Sequence, residues 1–179
     1  MRIISGKYRG MALAQFKGGE IRPTADRVKE SLFNILYPRI AGARVLDLFC
    51  GSGNLGLECL SRGAQAVRFN DISRDSIAVL KKNLARISEN NYSVTSLDYL
   101  ACLADCGVYD IIFIDPPYAL DCGVNALKII ADKDKLAIDG IAVFERDRSF
   151  SGNIEGLEMY DERKYGKTYL SFFKRSGVQ

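Results

Sequence analysis

From Tyr109 to Tyr118 the chain reads Tyr-Asp-Ile-Ile-Phe-Ile-Asp-Pro-Pro-Tyr, and physical chemistry leaves such a stretch few conformations. Tyr109 to Ile114 is an apolar run of strand length, the pattern of a buried strand. The paired prolines behind Asp115 can extend neither strand nor helix, so the chain leaves the sheet in one rigid, extended turn. In open α/β sheets the carboxyl ends of the strands are where ligands bind. The Asp115 carboxylate, the Pro116 carbonyl, the stiffening Pro117 and the Tyr118 ring are therefore fixed in one short arc. Such a set can hold a flat, amine-bearing ring.

The rest of the chain supplies a matching alternation. Residues 43–49 read as a strand, followed by a glycine turn and a helix through Leu55, Leu57 and Leu60 that Gly63 ends. Residues 66–71 are a second strand, and its helix spans about 74–88 with Ile77, Leu80, Leu84 and Ile87 on one face. A third strand covers 92–97 and the fourth 109–114. A helix through Ala126, Leu127, Ile129 and Ile130 leads to a fifth strand at 141–145. Residues 156–164 and 169–174 form two more, joined around Tyr165-Gly166-Lys167-Thr168. This pattern predicts an α/β fold with a doubly wound, mostly parallel seven-stranded sheet and one antiparallel strand from the closing pair at its edge.

Residues 1–40 form an extension ahead of that core. Arg2-Ile3-Ile4 and residues 10–13 flank a basic tip, Ser5 to Arg9, as a small hairpin. After Gly18-Gly19 a helix starts with Thr24 as a candidate N-cap, burying Val28, Leu32, Ile35 and Leu36 while Arg27, Lys29 and Glu30 face outward. At 179 residues, 47% hydrophobic and 26% charged, the chain has the balance of one globular domain over 1–179, with a core at 41–179.

Charge is distributed unevenly. Residues 1–44 carry nine Lys/Arg against three acids, and the remainder 16 against 19. A basic amino-terminal segment on a mildly acidic body fits either a polyanionic partner such as nucleic acid or a solvated face. The first residues lack the apolar run of a signal peptide and no stretch is long enough to span a bilayer, so a cytoplasmic protein without membrane contact is expected. Five irregularly spaced cysteines then read as reduced thiols. Cys102 and Cys106 have no second ligand pair, and the chain contains no histidine. No metal is expected, and Ser-His-Asp or Cys-His catalysis is excluded.

Gly51-Ser52-Gly53-Asn54-Leu55-Gly56 satisfies G-x-G-x-x-G between strand and helix, and Asp71 falls 20 residues after Gly51. Read literally this is a dinucleotide fingerprint, and an NAD-dependent oxidoreductase is one reading. Asp47, inside the preceding strand, argues otherwise. A carboxylate is unhelpful beside a pyrophosphate but suits a positive ammonium, such as the methionine end of S-adenosylmethionine. Asp47 can also simply cap the turn, and Asp71 a helix. Asp98, after the third strand, can accept from an adenine amino group or be a plain loop residue.

Val45-Leu46-Asp47-Leu48-Phe49-Cys50-Gly51-Ser52-Gly53, Asp71, Asp98 and Asp115-Pro116-Pro117-Tyr118 together resemble the ordered motifs of class I methyltransferases acting on exocyclic amines. Residues 2–10, the block Arg22-Pro23-Thr24-Ala25-Asp26-Arg27-Val28-Lys29-Glu30-Ser31-Leu32-Phe33-Asn34 and Tyr165-Gly166-Lys167-Thr168 further resemble the RsmD family, bacterial enzymes that methylate guanine N2 in 16S ribosomal RNA. The resemblance covers nearly the whole chain and implies a Rossmann-like fold. It implies that S-adenosylmethionine is held by Asp47, Gly51, Ser52, Gly53, Asp71 and Asp98 with their neighbours Phe49, Ile72 and Tyr99. It further implies catalysis by Asp115, Pro116, Pro117 and Tyr118, and 16S rRNA or a small-subunit particle as partner of a monomer. Lys7, Arg9, Arg22 and Arg27, with Tyr118 stacking on the base, are the candidate RNA contacts. Cys50, Ser73 and Lys167 depart from the family's usual residues, and Lys167 puts an acidic role for the last hairpin loop in doubt. A DNA adenine-N6 methyltransferase and a non-catalytic ribosome-assembly factor are the alternatives. The first usually needs extra target-recognition sequence, and the second has no use for Asp115 and Tyr118 together.

Overall fold

The structure, a computed structural model, describes residues 1–15, 23–117 and 122–177, and only the backbone of 23–26. The expectations for Arg22, Tyr118 and the Thr24 side chain lie outside the described residues. The elements run α1 Pro23–Ile40, β1 Arg44–Asp47, α2 Asn54–Ser61, β2 Ala66–Asn70, α3 Arg74–Leu84 and β3 Tyr92–Thr95. Then follow α4 Tyr99–Asp105, β4 Tyr109–Ile114, α5 Cys122–Asp132, β5 Leu136–Arg146, β6 Leu157–Tyr165 and β7 Thr168–Arg175. The strands form one sheet in the order β3-β2-β1-β4-β5-β7-β6. All neighbours are parallel except β7, which runs antiparallel to both β5 and β6. The antiparallel strand is thus inserted one place in from the edge that β6 occupies.

Because successive strand residues point to opposite faces, each central strand feeds two cores. Val45, Phe69, Ile111, Phe113, Val143 and Phe172 pack beneath α1, α2 and α3, whose Leu32, Phe33, Leu57 and Leu80 are fully or almost fully buried. Leu46, Ile112, Ile114, Ala142, Phe144 and Phe173 pack beneath α4 and α5 through Leu103, Leu127 and Ile130. This is the doubly wound arrangement expected from the alternation. Among the described residues no helix is long and apolar enough to cross a membrane.

The amino-terminal extension is built into the first core. Arg2 bridges Ala12 antiparallel, the Ile3 N–H donates to Met11 O at 3.0 Å, and Ile3 and Leu13 are buried with the α1 and α2 side chains. One reading of α1 is corrected. Lys29 does not face outward: its side chain is 2% exposed and its ammonium lies 2.8 Å from Glu58 Oε2, on a carboxylate with no exposure at all. Lys29 also donates to Arg2 O (3.0 Å) and Asn54 Oδ1 (2.8 Å). Glu58 in turn takes the Ile4 and Ser5 backbone N–H groups and Arg62 Nε at 2.8–2.9 Å. Burial pushes the Glu58 carboxyl up, but the two cations and the N–H donors hold it below its ordinary value. One buried carboxylate therefore joins hairpin, α1 and α2.

Two further differences have local causes. β5 begins at Leu136 rather than 141, its extra residues accommodated by a register shift between Tyr109 and Ile111 of β4. The short α4 has no apolar stripe to announce it; Asp98 starts it by accepting the Leu100 N–H at 2.9 Å.

Candidate active site

The site lies where β1, β2, β4 and β5 end. The glycine turn after β1 is fixed by Leu48 N–H to Phe113 O (3.1 Å), Cys50 N–H to Asn70 O (2.9 Å) and Gly53 N–H to Cys50 O (2.7 Å). Its three glycines serve different ends. A Cβ at Gly56 would lie 2.2 Å from Phe69 Cε1 and one at Gly53 2.3 Å from Leu80 Cδ1, so these two let α2 close onto β2 and α3. Gly51 sits at φ +52 and a Cβ there would meet no atom within 4 Å; it lines the cavity instead.

Asp47, the last residue of β1, is 2% exposed and accepts the Gly56 N–H at 2.9 Å. It does cap the first turn of α2, and it also lines the cavity. Burial pushes its pKa up to about 7; the Gly56 N–H opposes the rise and the Asp71 charge adds to it. Asp71 accepts from Gly51 N–H and Ser73 N–H, both at 2.8 Å. The helix cap falls to Ser73, which accepts from Ser76 N–H. A carboxylate has about four acceptor positions, so Asp71 keeps capacity for further donors.

Asp115 follows β4 directly. Its proline, Pro116, is buried against the first turn of α5, where a Cβ on Gly123 would come within 3.1 Å of Pro116 Cγ and 2.3 Å of Phe144 Cε2. Ile114 pairs with Phe144 in the parallel register of β4 and β5, so the next residues, Asp115 and Glu145, emerge side by side. Asp115 opens onto the cavity, yet the protein around it, then Glu145 and Asp47, raise its carboxyl well above the usual range. Three carboxylates converge here, which makes the cavity a place for positive charge and for N–H donors.

The crevice has two lobes that share Phe49, Gly51, Asp115 and Glu145. One, of about 560 Å³, is lined by Asp71, Ile72, Asp98, Tyr99, Pro116, Pro117 and Cys122. Phe49 and Tyr99 form its aromatic wall, with ring centroids 5.7 Å apart. The other, of about 580 Å³, adds Asp47, Ser52, Asn54, Lys29 and the β6–β7 turn Tyr165 to Thr168.

Of the residues singled out from the sequence, Asp47, Phe49, Gly51, Ser52, Asp71, Ile72, Asp98, Tyr99, Asp115, Pro116 and Pro117 surround this one crevice. Gly53 stands behind its wall. Lys7 lies at the other end of α2, roughly 12 Å of helix away: its N–H donates to Ser61 O, and its ammonium is held by Ser88 Oγ and Glu89 Oε1 at 2.8 Å. Arg9 shares that hairpin tip and Arg27 is exposed on α1. Glu145 and Lys167 escaped the sequence reading as site residues. Glu145 had a usable signal, since it closes the apolar run 141–144 just as Asp115 closes that of 111–114.

Sheet order, the inserted antiparallel β7 and an acid-lined crevice at the strand ends, closed by an Asp-Pro-Pro turn, define the class I, Rossmann-like methyltransferase fold. The chain belongs to the RsmD family: the family model described as conserved hypothetical protein 95 matches residues 1–174. It is 37% identical over 148 residues to the Escherichia coli K12 protein named Ribosomal RNA small subunit methyltransferase D, covering 82% of this chain and 75% of that one. The protein of the same name from Haemophilus influenzae is 35% identical over 153 residues, covering 83% and 79%. Among solved structures, yhhF from Escherichia coli superposes with a TM-score of 0.86 at 33% identity, covering 98% of this chain and 97% of that one.

Proposed function

We propose that this chain transfers a methyl group from S-adenosylmethionine to the exocyclic N2 amine of a guanine in small-subunit (16S) ribosomal RNA, acting as a cytoplasmic monomer. The observation that carries this reading is the placement of the Asp115-Pro116-Pro117 turn over a crevice whose floor is the buried carboxylate of Asp47. The relatives named Ribosomal RNA small subunit methyltransferase D support the substrate.

The residues present fit the methyl donor. A nine-tenths-buried acid facing a cavity with its pKa raised to about 7 lacks compensating positive charge, which an ammonium and a sulfonium would supply. Asp71 has acceptor capacity for ribose hydroxyls, Asp98 and the Phe49–Tyr99 wall suit an adenine, and the open side of Gly51 leaves room for the tail. When bound, S-adenosylmethionine supplies a methyl group already activated by its sulfonium.

The chain's own task is alignment and electrostatics. A guanine N2 lone pair is delocalised into the ring. Hydrogen bonds donated by its two N–H groups to the Asp115 carboxylate and the Pro116 carbonyl favour a pyramidal, nucleophilic nitrogen. As that nitrogen becomes positive its proton grows acidic, and the Asp115 carboxylate receives it. The base reaches this turn only when rotated out of its helix or loop. Tyr118 stacks on it in this reading, and Arg9, Arg22, Arg27 and Lys7 serve flanking phosphates.

The test is transfer of labelled methyl to small-subunit RNA, naked and in particles, followed by mass spectrometry of the modified nucleotide. Asp115→Ala should lower transfer at least about 100-fold while donor binding persists. Undiminished transfer by that variant, or a label on adenine, refutes the assignment.

A further inference from the structure

We propose that Glu145 is the residue that selects guanine, by accepting the N1–H of the base whose neighbouring amine Asp115 holds; this deepens, and rests on, the guanine-N2 reading above. The geometry begins with register. Ile114 and Phe144 are parallel partners, and adjacent strands lie about 4.8 Å apart. Asp115 and Glu145 are the next residue on each strand, so their backbones leave the sheet as neighbours. Both line both lobes of the crevice. Buried Pro116, packed on the first turn of α5, fixes the Asp115 side of the pair, and the β5–β7 pairing of Glu145 with Leu170 fixes the other.

The chemistry of the base edge decides what this pair can read. A carboxylate and a proline carbonyl grip an exocyclic amine on either purine and cannot tell them apart. Guanine places a second donor, N1–H, beside its amine, whereas adenine places a lone pair there. A second carboxylate at that position accepts from guanine and repels adenine. The mutual influence of the two acids is visible in Asp115, whose carboxyl Glu145 helps to raise. One guanine edge offers a donor to each acid, while an adenine leaves one acid facing a lone pair, the arrangement that gives strong rejection.

The experiment replaces the target guanine, once mapped, with 2-aminopurine in a ligated small-subunit RNA. That base keeps the reacting amine and exchanges N1–H for a lone pair. Single-turnover transfer is measured on both RNAs with the wild type and with Glu145→Gln, whose amide can accept from N1–H or donate to a bare N1. The wild type should prefer guanine by at least about 100-fold, and Glu145→Gln should narrow that preference at least about tenfold. A ratio within one enzyme is insensitive to the fraction folded. Equal wild-type transfer to the two bases overturns the assignment, as does an unchanged ratio in Glu145→Gln. So does loss of transfer to both bases in a variant that still binds S-adenosylmethionine. Absence of any guanine methylation by the wild type overturns the underlying guanine-N2 reading as well.

Discussion

Replacing Asp47 by Asn should stabilise the ligand-free protein and remove most of the pH dependence of donor binding. The carboxyl of Asp47 is raised from 3.8 to about 7, chiefly by burial. At about 1.4 kcal/mol per unit, keeping it ionised costs the empty fold on the order of 4 kcal/mol at pH 8. A raised acid holds its proton more tightly folded than unfolded, so its contribution to stability is favourable below about pH 4 and declines as pH climbs to about 7. Asparagine retains an oxygen for the Gly56 N–H and carries no charge to bury. Urea unfolding of the ligand-free proteins at pH 8, followed by tyrosine fluorescence because the chain has no tryptophan, should show Asp47→Asn the more stable by a few kcal/mol.

Donor affinity should move in the opposite sense. An ammonium needs the ionised carboxylate, so the dissociation constant of S-adenosylmethionine should be flat above pH 7 and weaken about tenfold by pH 6. Asp71, Asp115 and Glu145 share the crevice, and protonation of the raised Asp115 adds to the slope. Asp47→Asn should bind weakly throughout and lose most of the dependence. Calorimetric titration from pH 5.5 to 8 decides the matter. An Asp47→Asn protein less stable than wild type at pH 8, or wild-type affinity independent of pH, would refute the account.

Other perturbations separate fold from site. Lys29→Ala removes one of the two cations that the described residues place on the buried Glu58 carboxylate, and should cost about 3 kcal/mol in urea unfolding. The Glu58 carboxyl is depressed, so its stabilisation is present above about pH 4.5 and is lost as pH falls below that. Gly56→Ala drives a methyl into the Phe69 ring and should destabilise by about 1–3 kcal/mol. Gly51→Ala meets no protein atom; beyond about 1–2 kcal/mol of left-handed backbone strain, its effect should appear in the donor dissociation constant. Lys167, on the crevice rim, should contact RNA phosphate. Lys167→Ala is then expected to reduce the slope of log affinity against log salt by about 1 in RNA-binding titrations.

How far each part was legible depends on whether local sequence or remote packing fixes it. β4 was readable residue for residue, because an unbroken apolar run abuts two prolines that no strand can absorb. Asp115 was readable for the same reason, whereas Asp47 and Asp71 were found by their spacing to the glycine turn: the strands expected over 43–49 and 66–71 end at Asp47 and Asn70. Asp98 comes three residues after β3, and its helix α4 escaped notice because seven residues with only Cys102 and Leu103 buried show no period. Lys29 was assigned to the wrong environment for a deeper reason. Its helical position borders the buried stripe of Val28 and Leu32, and only the arrival of Glu58 from α2 makes burial of its ammonium favourable. The hint was on the other helix, where Glu58 interrupts the otherwise apolar Leu57-Glu58-Cys59-Leu60. A charge inside an apolar run requires a partner; Arg62, four residues on, is one, and the second, Lys29, looks solvated in the sequence. Lys29 and Asn54 carry that buried network to the wall of the donor crevice. The basic extension, whose charge fitted either a polyanionic partner or a solvated face, is therefore also a structural support for the glycine turn.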